Sequence, residues 1–137
     1  MFGGDKQGKK SSAATPIATL VGADARIDGN LSFKGGVRID GVVVGNVVGE
    51  DGQQSMLVVS ENARIEGEVH ASHLVINGTV VGPVHGDELI ELQAKARVVG
   101  NVRYRAIEMH HGAVVEGALS HIDGAARPGL KLAASND

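Results

Sequence analysis

A seven-residue pattern of small, any, apolar, any, Gly, any, apolar recurs six times in this chain, and nothing else constrains its fold as strongly. The copies fall at residues 25–31, 41–47, 63–69, 78–84, 96–102 and 113–119. Their central glycines, Gly29, Gly45, Gly67, Gly82, Gly100 and Gly117, are 16, 22, 15, 18 and 17 residues apart. Self-similarity at such a period marks a repeat architecture, in which each unit is too small to bury its own apolar face and leans on its neighbours. The chain reads as a solenoid.

Composition agrees. Phe2, Phe33 and Tyr104 are the only aromatic residues among 137, so a core must be built from Val, Ile, Leu and Ala. A globular domain without aromatics packs poorly around one centre, whereas a narrow solenoid fills each turn from the next. There are 13 Lys and Arg against 16 Asp and Glu, so no basic field points to nucleic acid. Cysteine is absent, which excludes a disulfide framework and a thiolate nucleophile. No apolar run approaches the ~18 residues of a membrane span, and the N-terminus lacks the apolar core of a secretory signal.

Within the repeats, apolar residues alternate in short, β-branched pairs such as Val37/Ile39, Leu57/Val59, Ala63/Ile65 and Leu74/Ile76. Period two means strand. The pairs begin about six residues apart, too close for hairpins, so three strands make one coil of a parallel β-helix. Coil starts align at Leu20, Val37, Leu57, Leu74, Ile90 and Ile107, giving about six coils of an all-β fold. The polar stretch 49–55 is a surface loop inserted at a corner of the second coil. The glycine column marks a corner that needs positive φ or a bulge. Three regions follow: a disordered tail over 1–19, a β-helix over 20–121 and a second disordered tail over 122–137.

The repeated Ile/Val-x-Gly-x-Val/Leu units, the Arg-Ile-Asp-Gly and Arg-Ile-Glu-Gly stretches at 26–29, 38–41 and 64–67, and the segment 92–102 resemble the bactofilins, which are bacterial cytoskeletal proteins. The resemblance covers about residues 18–120. It implies a right-handed parallel β-helix, a choice of hand that periodicity alone leaves open. It also implies polymerisation without nucleotide into filaments or sheets under the cytoplasmic membrane, with enzymes and regulators of cell-wall growth as clients. Met1-Phe2 followed by Lys6, Lys9 and Lys10 looks like the family's short membrane-targeting start, matched in part because glycines stand at positions 3 and 4.

The alternatives are a non-polymerising β-helical binding module and a relative of the hexad-repeat acyltransferases. The latter keep strict six-residue steps and a histidine at a subunit cleft, whereas steps of five here break the hexad. The histidines are His70, His73, His85, His110, His111 and His121, and none has a matched acid and nucleophile at recognisable spacing. His70, His85 and Arg103 share one outward column, expected to be a solvated ladder. His110-His111 would place neighbours on opposite faces of a strand, poor geometry for joint metal binding. Neither a catalytic site, a metal nor a cofactor is expected. Arg26, Arg64 and Arg97 share another column and Asp28, Glu66 and Glu116 the one two residues on, so they are expected to pair along a strand or diagonally between coils.

The ends of the rod carry the functional expectation. An uncapped terminal coil exposes unpaired amides and apolar interior. The first coil presents Leu20, Ile27, Leu31 and Phe33, and the last presents Ile107, Met109, Val115 and Leu119. These eight residues are the expected polymer interface, with the chain itself as partner.

Overall fold

The computed structural model describes residues 16–50 and 54–122. The expectations for both tails, for Met1, Phe2, Lys6, Lys9 and Lys10, and for the tip of the inserted loop lie outside the described residues.

The described chain is a parallel β-solenoid of six coils. Coil 1 is β1 (Ile17–Val21), β2 (Arg26–Asp28) and β3 (Leu31–Phe33); coil 2 is β4 (Gly35–Ile39), β5 (Val42–Val44) and β6 (Val47–Gly49). Coil 3 is β7 (Ser55–Val59), β8 (Arg64–Glu66) and the first half of β9 (Val69–Ile76). The second half of β9 opens coil 4, followed by β10 (Thr79–Val81) and the start of β11 (Val84–Leu92). The rest of β11 leads into β12 (Arg97–Val99) and β13 (Val102–Tyr104) of coil 5. Coil 6 is β14 (Ile107–Met109), β15 (Val114–Glu116) and β16 (Leu119–His121).

One face is the six-stranded sheet β2-β5-β8-β10-β12-β15. The other two faces join into a ten-stranded sheet because β9 and β11 run on round a corner: Val69 and His70 pair with β6, and Leu74–Ile76 with β7. Coils stacked at ~4.8 Å make a rod roughly 29 Å long.

The core is a set of columns along this rod. Val37, Leu57, Leu74 and Ile90 stack in register and are fully buried, as are Val43, Ile65, Val80 and Val98 on the six-stranded face. Each such side chain is covered above and below, so columns of branched aliphatic residues substitute for the aromatic centre this chain lacks.

Glycine turns the corner between the second and third strands of each coil. Gly29, Gly45, Gly67, Gly82 and Gly100 have φ from 139° to 154°, where a side chain is strained. Space forbids one as well: a Cβ at Gly45 would overlap the Gly29 carbonyl oxygen of the coil below. The expectation of positive φ holds at these five corners; at the sixth, Gly117, only the close approach of the Gly100 carbonyl oxygen excludes a Cβ.

The other motif position reserved for small residues has a different cause. Residues 22–25, 60–63, 93–96 and 110–113 form four-residue turns, closed by bonds such as Ala63 N–H to the Ser60 carbonyl (2.9 Å). Coils 2 and 4 turn instead through Asp40-Gly41 and Asn77-Gly78. A Cβ at Gly78 would overlap the Ser60 carbonyl oxygen, so a short turn nested against a long one takes glycine where the long turns take alanine.

Two expectations are corrected. The first strand is displaced by one residue: Thr19 aligns with Val37, Leu20 with Arg38 and Val21 with Ile39. Leu20 therefore faces outward, 61% exposed, while Val21 is buried at 6%. In a pleat of period two a one-residue slip exchanges the faces, and adjacent apolar residues at 20 and 21 leave the alternation ambiguous. The second correction is Phe33, which is buried at 7% and not presented at the rod end. It aligns with Gly49 of the next coil, where a Cβ would overlap Ser55 and only touch the Phe33 ring. The first strand also begins at Ile17, before the expected domain start at residue 20.

Candidate polymer interface

Stacking satisfies every middle coil on both sides and each terminal coil on one. Among the described residues, β1, β2 and β3 pair only with coil 2, and β14, β15 and β16 pair only with coil 5. Both ends therefore carry open strand edges. Their inward side chains are correspondingly half covered: Ile27, Leu31, Ile107 and Val115 are partly buried against the core, while Met109 is 44% and Leu119 46% exposed. In the same column, Val102 and Val84 one and two coils inward are buried.

Of the eight expected interface residues, six thus lie on the terminal coils with their apolar surface incompletely covered. Leu20 is exposed on a lateral face of coil 1, and Phe33 is interior. Two apolar residues escaped notice, Ile17 and Val114, each 45% exposed. Ile17 falls within the expected tail, although Ile17, Thr19 and Val21 alternate; Val114 occupies the outward column of arginines and has no periodic signal of its own.

The lateral faces carry the charged ladders. Arg26 bonds Asp28 (3.1 Å) and Arg64 bonds Glu66 (2.7 Å) along their strands, while Arg97 reaches diagonally to Glu116 of the next coil (2.6 Å). Both expected geometries occur. These exposed pairs each contribute roughly 0–1 kcal/mol. Asp40 is more specifically held: the Ser60 hydroxyl and the Arg38 guanidinium both donate to it, and together they keep its carboxyl below its ordinary value of 3.8. These groups sit in a groove with Asn77 and Gln93 along the turn edge.

His70, His85 and Arg103 do share one column. The histidine rings lie with centroids 4.3 Å apart and planes tilted by 34°. Asp87 joins them, 3.1 Å from the Nε2 atoms of both rings. Sequence reasoning missed Asp87 because it lies beyond the repeat, at a register shift between Gly86 and Leu89. Burial is the main cause that depresses the His85 pKa, with His70 and Arg103 acting in the same direction against Asp87. His110 and His111 lie in the turn after β14 and not within a strand, and His110 Nε2 is 3.4 Å from Glu91 Oε2.

No helix among the described residues is long and apolar enough to cross a membrane. The bactofilin family model, described as polymer-forming cytoskeletal, matches residues 19–120. The chain is similar to Bactofilin BacO of Myxococcus xanthus (strain DK1622), 28% identical over 99 residues that cover 72% of this chain and 75% of that protein. It is also similar to Bactofilin BacP of the same organism, 29% identical over 110 residues covering 80% of this chain and 44% of that longer protein. No solved structure matches it significantly. Six stacked coils with open apolar ends, and a family match over nearly the whole solenoid, lead to one conclusion: the chain belongs to the bactofilin family of polymer-forming cytoskeletal proteins, which are structural and not enzymatic.

Proposed function

We propose that this chain polymerises by end-to-end stacking of its solenoids, without nucleotide, into filaments at the inner face of the cytoplasmic membrane, where they scaffold proteins of cell-wall synthesis or hydrolysis. The observation that carries the stacking is the pair of terminal coils, each with open outer strand edges and half-covered apolar columns among the described residues. A second rod placed on either end would continue three short parallel ladders and cover those columns, removing the edges at little cost in chain entropy.

Two sequence features support the rest. Gly3, Gly8 and Lys9 fall at the spacing of a phosphate-binding loop, but Lys10 stands where that loop needs Ser or Thr, and no apolar strand pattern precedes it. Met1 and Phe2 form a minimal apolar wedge, with Lys6, Lys9 and Lys10 following and only Asp5 opposing. Each Lys near an anionic leaflet contributes ~1 kcal/mol, so one copy binds transiently, while a filament presents many copies together. The client class rests on the family alone.

Negative-stain electron microscopy and sedimentation of purified protein in nucleotide-free buffer test the reading. Filaments that pellet above a threshold concentration are expected. A fixed small oligomer, or polymer that forms only with ATP or GTP, would overturn it.

A further inference from the structure

The lateral face that follows the glycine corner carries a cluster that end-to-end stacking does not use. His70 stands on the first half of β9 and His85 on β11, directly above it in register. Asp87 follows His85 by two residues. At this corner β11 carries two residues, Asp87 and Glu88, where β9 carries only Ser72, so the chain bulges and the carboxylate is brought over both rings. His70 Nε2 is 3.1 Å from each Asp87 carboxylate oxygen, and His85 Nε2 is 3.1 Å from Oδ1. All three donor atoms lie within 4.8 Å of one another.

We propose that His70, His85 and Asp87 form a binding site for a borderline-soft divalent transition metal of the Zn2+ type, clipping coil 3 to coil 4. Three ligands of a tetrahedral zinc, each about 2.0–2.1 Å from the ion, stand about 3.3 Å from one another. The two nitrogen–oxygen separations here are already close to that value, so small ring rotations admit an ion. Two imidazoles and one carboxylate suit Zn2+, whereas Mg2+ and Ca2+ require more oxygen ligands than this cluster offers.

The bulge is held from outside the cluster. Arg105 Nε donates to the Asp87 carbonyl oxygen (3.0 Å), and Gln54 Nε2 donates to Glu88 Oε2 (2.7 Å). Both contacts leave the Asp87 carboxylate free to turn toward the rings, in the manner of groups that position metal ligands. Arg103, next in the column, adds an unfavourable positive charge that the Asp87 carboxylate offsets. The second group of this kind, Glu91, Glu108 and His110, is a poorer candidate. Its Glu91 accepts from Gln93, its His110 is 3.4 Å away, and it offers one imidazole.

The test uses the full chain without an affinity tag, stripped with chelator. Zn2+ titration by calorimetry, the visible spectrum of the Co2+ form and thermal melting with and without Zn2+ are measured for the parent, His85→Gln, Asp87→Asn and a Glu91→Gln/His110→Gln control. Expected are one equivalent of Zn2+ in the parent, a rise in its melting temperature and four-coordinate Co2+ bands. Either cluster substitution should weaken binding at least roughly tenfold and abolish the thermal shift, with the control unaffected. Circular dichroism verifies folding, and because Asp87 is half exposed its substitution remains informative if His85→Gln misfolds. Absence of saturable one-equivalent binding, or binding that survives Asp87→Asn, would overturn the proposal. So would binding lost only in the control, which would place the ion at the other cluster.

Discussion

Leu119→Arg is the sharpest probe of end stacking. Leu119 retains 46% and Met109 44% of their surface in the free rod. Burying such a side chain fully is worth about 1.5–3 kcal/mol, so covering what remains exposed gains about 0.7–1.4 kcal/mol for each. The two together supply about 1.4–2.8 kcal/mol, or one to two powers of ten in the association constant. The substitution removes one share and forces an unpaired guanidinium into the contact, a penalty that itself reaches several kcal/mol. The threshold concentration for pelleting should therefore rise at least about a hundredfold. The rod should stay folded, because Leu119 contributes only to the last coil. Arg64→Glu is the matched control: it reverses a charge in a lateral ladder worth roughly 0–1 kcal/mol and should leave assembly within a fewfold of the parent. Phe33→Arg is unsuitable as an end probe, since Phe33 is buried against the Gly49 rung and its loss would disrupt coil 1 itself. Circular dichroism and a sedimentation series decide the matter. Parent-like pelleting of folded Leu119→Arg would refute the stacking argument.

Three further outcomes are expected. Alanine at Gly67, Gly29 and Gly22 should destabilise in that order in thermal melts. Gly67 has both positive φ and a blocked Cβ, Gly29 has positive φ with open space, and Gly22 has neither. The first should cost more than about 1 kcal/mol, and equal melting temperatures for all three would contradict the account of the corner. Because Asp40 titrates below its ordinary value of 3.8 in the fold, its contribution to stability is present above that value and is lost as pH falls through the lower folded one. Ser60→Ala should raise the Asp40 pKa in a carboxyl NMR titration, and an unchanged value would deny the hydroxyl its role. Deleting residues 2–10 should release the protein from anionic vesicles while filaments persist in micrographs; undiminished flotation with the vesicles would exclude the N-terminal wedge.

The sequence by itself determined the stacking and most of its register. Six glycines at one motif position specify a corner, closed to a Cβ wherever a preceding coil lies beneath it, and alternating Val, Ile and Leu specify which face of each strand is interior. Arg26, Arg64 and Arg97 fell in one column, with acids two residues on, because the repeat imposes the alignment before any coordinates exist. Even the turn lengths are written in the choice of Gly at 41 and 78 against Ala at 25, 63, 96 and 113, although that meaning appears only once the turns are seen nested. Where the repeat is irregular, local pattern decides nothing and the tertiary structure does. Leu20 and Val21 are equally apolar, and only pairing with Arg38 and Ile39 selects which one is buried. Phe33 looks like an end anchor until Gly49, sixteen residues on, is placed beside it. Asp87 joins two histidines only because one extra residue bulges β11 at a corner, and such a convergence depends on distances between coils that no spacing along the chain encodes.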